Sequence, residues 1–376
     1  MNNNEKIKAS MILGSYLDTL GFFNGKWEFN FNTDIYNLNS AMFIQNEIVT
    51  QFFALGGFNI DLKALKLIAS DDTLMMIATK NACIKGGTIK NFMNEYLKIL
   101  PELEDQKRQS GYITLNSLNK LKKTKDINSI KYERMMGGNG AAMRTSFIGL
   151  KYYKENMIDD LIEKSIDAGR LTHNYPLGFL GGLVTALFCS YGMRNIEPWK
   201  WGKMLIELNN SGKIEKYIEK IGIKEKYDND KHKFWDYWYN YVEQRLPKFY
   251  IKPKEFMFSS NRIVDLLIYM PDVILKNNQG NFSKLGATGC GSTILAYDSL
   301  LCSINMKRKI ESIDKIKMND VNFSWENLLY FSTLHFGDND STGIIAGSWY
   351  GALKGFEGFN KDKINELEFK KELLSV

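Results

Sequence analysis

The chain has 376 residues, 44% of them apolar and 24% charged, with six prolines, enough for one large globular core or two smaller ones. Its formal charge of +6 is spread over scattered lysines, as in Lys307 to Lys317 and Lys361 to Lys371, and no run alternates aromatic with basic residues, which argues against a nucleic-acid platform. Cys83, Cys189, Cys290 and Cys302 lack metal-ligand spacing and read as free thiols in a reducing compartment, and no basic-then-apolar leader opens the chain, so a cytoplasmic protein is expected.

Ile7 to Leu20 is predicted as a helix, with its apolar members at helical period. A compact loop follows from Gly21 to Phe29. It carries Phe22, Phe23 and Trp27, which read as core, and one acid, Glu28. Leu74 to Ile84 is an apolar helix that Ser70 can cap, placing Asp71 and Asp72 in its first turn. Asn91 to Leu100 is a helix ended near Pro101, and residues 102 to 114 read as a loop or broken helix. Gly137 to Arg144 is a glycine-rich turn entering a helical segment. Met157 to Gly169 and Pro176 to Tyr191 are helices. Glu207 to Glu243 reads as two surface helices within a peripheral helical region, 207–260.

Val264 to Met270 is a short helix. Ser283 to Gly291 is a small-residue loop before a helix from Thr293 to Cys302. Trp325 to His335 leads into a second acidic cluster, and Asp362 to Glu372 is a peripheral helix. Apolar stretches are interrupted before about 18 residues, so no membrane span is expected. No segment alternates at period two, and the expected fold is all-α in a single domain, 1–376.

Gly343, Gly347, Gly351 and Gly355 recur every four residues. Glycine inside a helix costs about 1 kcal/mol, but at this spacing it leaves one bare ridge that another helix backbone can approach. A buried central helix behind the second acidic cluster is expected.

The chemistry concentrates in two places. Ser70-Asp-Asp-Thr73 by itself fits a capped helix start as well as a metal site. Gly337-Asp-Asn-Asp-Ser-Thr-Gly343 is harder to explain as a cap alone, because Asp338, Asp340 and Ser341 offer oxygens around a tight turn. Oxygen-rich sets suit magnesium, manganese or calcium, and two adjacent sets suit a two-ion site. With three histidines and no cysteine cluster, zinc does not fit. Gly137 to Ala142 reads as a phosphate cradle or as a tight turn. Arg144 can meet a substrate phosphate or an aspartate, and His173 can orient a ligand or be structural.

Five ordered motifs resemble the ADP-ribosyl-acceptor hydrolase (ADP-ribosylglycohydrolase) family and span nearly the full chain. They are Asp18-Thr-Leu-Gly-Phe-Phe-Asn-Gly-Lys-Trp-Glu-Phe29, Ser70-Asp-Asp-Thr-Leu-Met-Met76, Gly138-Asn-Gly-Ala-Ala-Met-Arg144, Gly169-Arg-Leu-Thr-His-Asn-Tyr-Pro-Leu-Gly-Phe-Leu-Gly181 and His335-Phe-Gly-Asp-Asn-Asp-Ser-Thr-Gly343. The resemblance is closest to the arginine-specific branch, to which Gly25-Lys-Trp-Glu28 is similar. It implies a compact orthogonal multi-helix bundle and two Mg2+ ions, with Mn2+ as an alternative. The ligands would be Ser70, Asp71, Asp72, Asp338, Asp340 and Ser341.

By the same resemblance, the catalytic residues would be Glu28, Asp71 and Asp72, with the general base either Glu28 or one of the aspartates. Gly138, Asn139, Gly140, Ala141, Ala142 and Met143 would hold a diphosphate, with His173 on the phosphate or ribose side. Gly286, Thr288, Gly289 and Tyr297 would line the adenosine end, and Asp18 would support the first loop rather than bind metal. Cys290-Gly-Ser-Thr293 departs from the family pattern, as do Leu17 and the region around Ser110-Gly-Tyr112.

The implied reaction is magnesium-dependent hydrolysis of the N-glycosidic bond of ADP-ribosyl-arginine on proteins. The implied partners are ADP-ribosylated proteins with arginine acceptors, with ADP-ribose as product, no nucleic acid, no membrane and a monomeric state. The alternatives are a hydrolase of serine-linked or O-acetyl ADP-ribose, a non-catalytic ADP-ribose-binding module, and a purely structural protein.

Overall fold

The protein is described from a computed structural model over residues 2–28, 37–258, 262–273, 282–307 and 315–375. Phe29, residues 259–260 and residues 308–314 of the lysine-rich stretch lie outside the described residues.

The architecture is an all-α bundle built around four buried helices: Asn3–Phe22, Pro176–Met193, Gly289–Cys302 and Asn339–Lys354. A two-stranded antiparallel ribbon, Ile304–Met306 with Val321–Phe323, is the one sheet among the described residues. Its three-residue strands are too short to show a period-two pattern, so the sequence did not signal it.

The first helix and Asn339–Lys354 pack backbone against backbone. A Cβ at Gly347 would stand 2.5 Å from the Leu13 carbonyl oxygen, and one at Gly21 would stand 2.4 Å from the Asn339 carbonyl oxygen. Both helices therefore contribute glycines to one seam, and the expected ridge runs through Gly343, Gly347 and Gly351. Gly355 lies beyond it, closing the helix with a positive φ of 62°. The Ser10 hydroxyl donates to the Ser348 carbonyl at 2.7 Å, and the Trp349 indole N–H donates to the Thr185 carbonyl at 2.9 Å. These bonds pin the glycine helix to both neighbours.

Pro176–Met193 contains 18 residues, and 94% of it is buried inside the protein. The expectation that no apolar helix reaches that length is corrected, because glycines, serine and threonine thin its apolarity without a single charge. It is a core helix, packed against six others.

Other boundaries also move. Thr88 caps Ile89–Lys98, and Pro101 sits inside the first turn of a short helix, Leu100–Leu103, where its missing N–H costs nothing. Two helices were not anticipated, Leu38–Ala54 and Tyr112–Thr124. Thr88 and Thr288 are both threonine caps; the second starts its helix at Gly289, earlier than expected.

The segment read as two surface helices is four, Pro198–Asn210, Lys213–Lys220, Lys224–Asp230 and His232–Asn240, followed by one wide π-turn, Tyr241–Arg245. Its inner face is core: Trp199, Trp201, Phe234 and Trp238 are buried. Arg245 and Arg262 both bind the buried Asp298 carboxylate, at 2.9 and 2.7 Å, and Tyr241 donates to it at 2.9 Å. The tail, expected as one helix from Asp362 to Glu372, is a 3-10 segment, Lys361–Glu366, and a short α-helix, Lys370–Leu374. All four cysteines are buried free thiols, as expected.

Gly347→Leu should destabilise the fold by at least about 1–3 kcal/mol, since overpacking a close seam costs that much. Urea unfolding measures it. An unchanged midpoint would show that the two helices are free to separate.

Candidate functional site

Both acidic clusters are helix starts. Ser70 is the N-cap of the Asp71–Ile84 helix, its oxygen accepting from the Asp72 amide at 3.1 Å. Asp338 is the N-cap of Asn339–Lys354, accepting from the Ser341 amide at 3.3 Å. Such ends carry unpaired amides and a partial positive charge, which favours acids there. Here the two ends meet. The Ser341 hydroxyl donates to Asp72 Oδ2 at 2.8 Å.

Asp18 enters from the first helix. It receives the Ser70 hydroxyl at 2.6 Å and also the Thr73 hydroxyl. Its carboxylate oxygen lies within 4.8 Å of those of Asp72 and Asp340. Asp18 therefore stands inside the acidic cluster rather than only bracing the first loop. The sequence signal was a single charge in the stretch from Ala9 to Phe23. A second triad, Glu28, Asp338 and Asp340, has its oxygens within the same distance of one another and shares Asp340 with the first.

Glu28 is positioned indirectly. Asn339 Nδ2 donates to the Trp27 carbonyl at 3.0 Å, tying the first loop to the second cluster. Trp27 itself stacks on Phe23 at 4.0 Å between ring centres, so these aromatics are core, as expected. The next loop is fixed by Arg108, which donates to the Ala69 carbonyl at 2.7 Å and to both Glu368 oxygens.

A cleft of about 360 Å³ opens over the clusters, lined by Glu28, Asp71, Asp72, Asp338 and Ser341 on one side. Gly138, Asn139, Gly140, Met143 and His173 line the other. Ala141 and Ala142 of the same turn are buried behind it. Asn139 acts through its side chain: Nδ2 donates to Asp338 Oδ2 at 2.7 Å and to the Gly286 carbonyl at 2.9 Å. Gly138 bridges to Thr288, and Ala287 lines the cleft between Gly286 and Thr288. Gln109, Tyr112 and Lys284 also border the opening, and none of them carried a sequence motif.

Three expected residues lie elsewhere. Tyr297 is fully buried in an aromatic core with Phe188 and Trp238, its hydroxyl donating to the Pro198 carbonyl at 2.7 Å. Gly289 is pressed against the backbone of Gly178 and Gly181. Arg144 meets neither an aspartate nor the cleft; it is fully buried over the Tyr96 ring. A second cavity of about 370 Å³ lies behind His335, and its described lining holds no carboxylate.

The electrostatics of the cleft favour cations. Burial, then the nearby Asp340 charge, pushes Asp18 up to about 7 and Asp71 up to about 8. Burial likewise raises Asp338 to about 6. Glu28, Asp72 and Asp340 are held well above the ordinary carboxylate range by burial and then by a neighbouring charge, Asp340 for the first two and Asp338 for the third. Crowded buried carboxylates of this kind neutralise by taking up protons or a hard cation. The donor set therefore fits a divalent metal.

A carboxyl raised above its unfolded value near 3.8 stabilises the fold below that pH, and the contribution is lost as pH rises through the folded value. In chelator, the thermal midpoint should therefore fall between about pH 4 and about pH 8, the range spanned by these groups. Added Mg2+ or Mn2+ should raise it most at the alkaline end. A midpoint flat in pH and indifferent to cations would contradict the charge assignment.

The ADP-ribosylglycohydrolase family profile matches residues 2–376. ADP-ribosylhydrolase ARH1 of Dictyostelium discoideum is 33% identical over 393 aligned positions, covering 98% of this chain and 91% of the relative. A putative ADP-ribosyl glycohydrolase of Acanthamoeba polyphaga mimivirus is 30% identical, covering 96% of this chain and 66% of the relative. A solved structure described as an ADP-ribosylglycohydrolase-related protein complex shares the fold at 14% identity, with a TM-score of 0.55 over 99% of this chain and 95% of that one. A profile spanning the chain from end to end, together with relatives aligned over nearly all of it, shows that the protein belongs to the ADP-ribosylglycohydrolase family.

Proposed function

We propose that the protein hydrolyses the N-glycosidic bond between ribose C1″ and the arginine side chain of ADP-ribosylated proteins, releasing ADP-ribose and unmodified arginine. The observation that carries this reading is the pair of overlapping acidic triads opening on one cleft. In it, Ser70, Asp71, Asp72, Asp338, Asp340 and Ser341 would hold two Mg2+ ions, or Mn2+, and Asp18 joins them. When bound, such cations polarise oxygen ligands and offset the crowded negative charge.

The chain's own groups suit the rest of the reaction. Glu28 lines the cleft beside the cluster, where a carboxylate can take a proton from an attacking water or pair with the departing guanidinium. Asp71 and Asp72 border the same space and share that role. Cationic charge that develops on the ribose is stabilised by the surrounding aspartates. The Gly138–Met143 turn presents backbone to the diphosphate, and His173 flanks it. Gly286 and Thr288 continue the cleft toward the adenosine end.

Arginine-linked and serine-linked ADP-ribosyl peptides, offered side by side with O-acetyl ADP-ribose and magnesium, test the acceptor. Faster release from the arginine peptide is expected. Preference for either other substrate would move the protein to another linkage, and binding without turnover would make it a binding module. Asp340→Asn should cost more than the 10–100-fold typical of changes behind a metal's direct ligands, while its melting midpoint in chelator should match the wild type at about pH 4 and exceed it at about pH 8, because the charge that raises Asp18 and Asp71 is gone. Full turnover in that variant would reject the ligand role.

A further inference from the structure

Arg144 is fully buried, yet its guanidinium faces no carboxylate among the described ion pairs. Nη2 donates to the Ala168 carbonyl at 2.7 Å and to the Thr172 hydroxyl oxygen at 2.8 Å. Nε and Nη1 have no hydrogen-bond partner, and the group lies 4.7 Å over the Tyr96 ring. A guanidinium can only donate. The Thr172 oxygen is therefore an acceptor on that side, and its single hydrogen must go elsewhere.

The atom on its other side is His173 Nδ1, at 2.8 Å. If Nδ1 carried the proton, the buried Thr172 hydroxyl would be left with a hydrogen and no acceptor among the described residues, which buried groups avoid. Thr172 must then donate to Nδ1, and the ring proton belongs on Nε2. That edge faces the glycine turn: a Cβ at Gly140 would stand 3.0 Å from Nε2, and one at Gly138 3.2 Å. All three residues line the cleft, and no described protein atom accepts from Nε2.

We propose that Arg144 and Thr172 form a buried relay that locks His173 as the neutral Nε2–H tautomer, so that it presents a hydrogen-bond donor to the substrate diphosphate at the Gly138–Gly140 turn. The relay is read from geometry alone, and the diphosphate as acceptor rests on the ADP-ribose reading above. Arg144 and Thr172 are positioning residues here, acting through His173. Burial, and then the Arg144 charge, also pushes His173 down to about 3, so the ring donates without titrating near neutral pH.

Three histidines make the test direct. Long-range proton–nitrogen NMR of the ligand-free, 15N-labelled protein distinguishes the two neutral tautomers, and His173→Gln assigns the signal. His335, whose Nδ1 accepts from the Gly337 amide at 3.1 Å, supplies an internal Nε2–H reference. The expected wild-type pattern for His173 is pure Nε2–H. Thr172→Val should mix the tautomers and weaken ADP-ribose binding by about tenfold, measured by calorimetry with Mg2+ present. Thr172→Ser, which keeps the hydroxyl, should preserve the wild-type ring pattern.

A protonated Nδ1 in the wild type overturns the relay even if the variants fail to fold. So does a Thr172→Val protein whose spectrum and affinity match the wild type. Absence of ADP-ribose binding to the wild type overturns the functional reading, and with it the diphosphate as acceptor. The ring spectrum, recorded without ligand, decides the relay separately.

Discussion

The site depends on the close backbone contact between the first helix and the glycine helix. Helices with ordinary side chains pack about 8–10 Å apart. The glycine seam removes the side chains that would keep these two helices at that spacing, and a methyl at Gly347 or Gly351 would meet backbone at about 2.5 Å. Asp18 on one helix and Asp340 on the other can then bring carboxylate oxygens within 4.8 Å. Three glycines in one helix cost about 3 kcal/mol in propensity. Dispersion along the seam, together with the Ser10 and Trp349 hydrogen bonds, offsets that cost.

The same contact creates an electrostatic problem, and the helix ends answer part of it. Asp71–Ile84 and Asn339–Lys354 both direct their N-termini at the cleft. Their amides bind Ser70, Asp338 and Asp340 oxygens, and their dipoles favour negative charge. The raised carboxyls show that this compensation is incomplete. A hard cation would supply the remainder, so that the charge balance of the fold and the fitness of the cluster for a metal share one origin. Asp298 makes the contrast clear. It is equally buried, but two arginines pair with it, and its carboxyl falls below the ordinary range instead of rising.

What was legible in the sequence follows from how local each cause is. A capped helix start has a signature within four residues, so Ser70 to Asp72 and Asp338 to Ser341 could be read directly. The glycine ridge was legible because its spacing is a helical period. Asp18 was underread because its meaning comes from partners far along the chain. Tyr297 failed for the opposite reason: the family resemblance pointed it to the cleft, while its ring turns to Phe188 and Trp238 in the core. Arg144 looked like a ligand because a lone arginine beside a glycine turn gives no hint that its guanidinium points inward. The helices Leu38–Ala54 and Tyr112–Thr124 expose much of their surface, and their patterns are correspondingly weak.

In the function proposed above, cation chemistry and acceptor choice would fall to different parts of the chain, which are tied together. The cation side is built from helix starts fixed by the buried seam. The side assigned to the acceptor is built from loops, with Glu28 on one and Gln109 to Gly111 on the next. A freely mobile loop would separate recognition from chemistry. Asn339 prevents this, because its side chain holds the Trp27 carbonyl while its own residue opens the glycine helix between Asp338 and Asp340. Any displacement of Glu28 must therefore strain the helix start that orders the second acidic triad. Arg108 does the same for the neighbouring loop, anchoring it through the Ala69 carbonyl immediately before Ser70. Each of these loops is thus fastened beside the cap of a helix start that carries carboxylates, so in the proposed function the position of the acceptor would follow from the position of the charges.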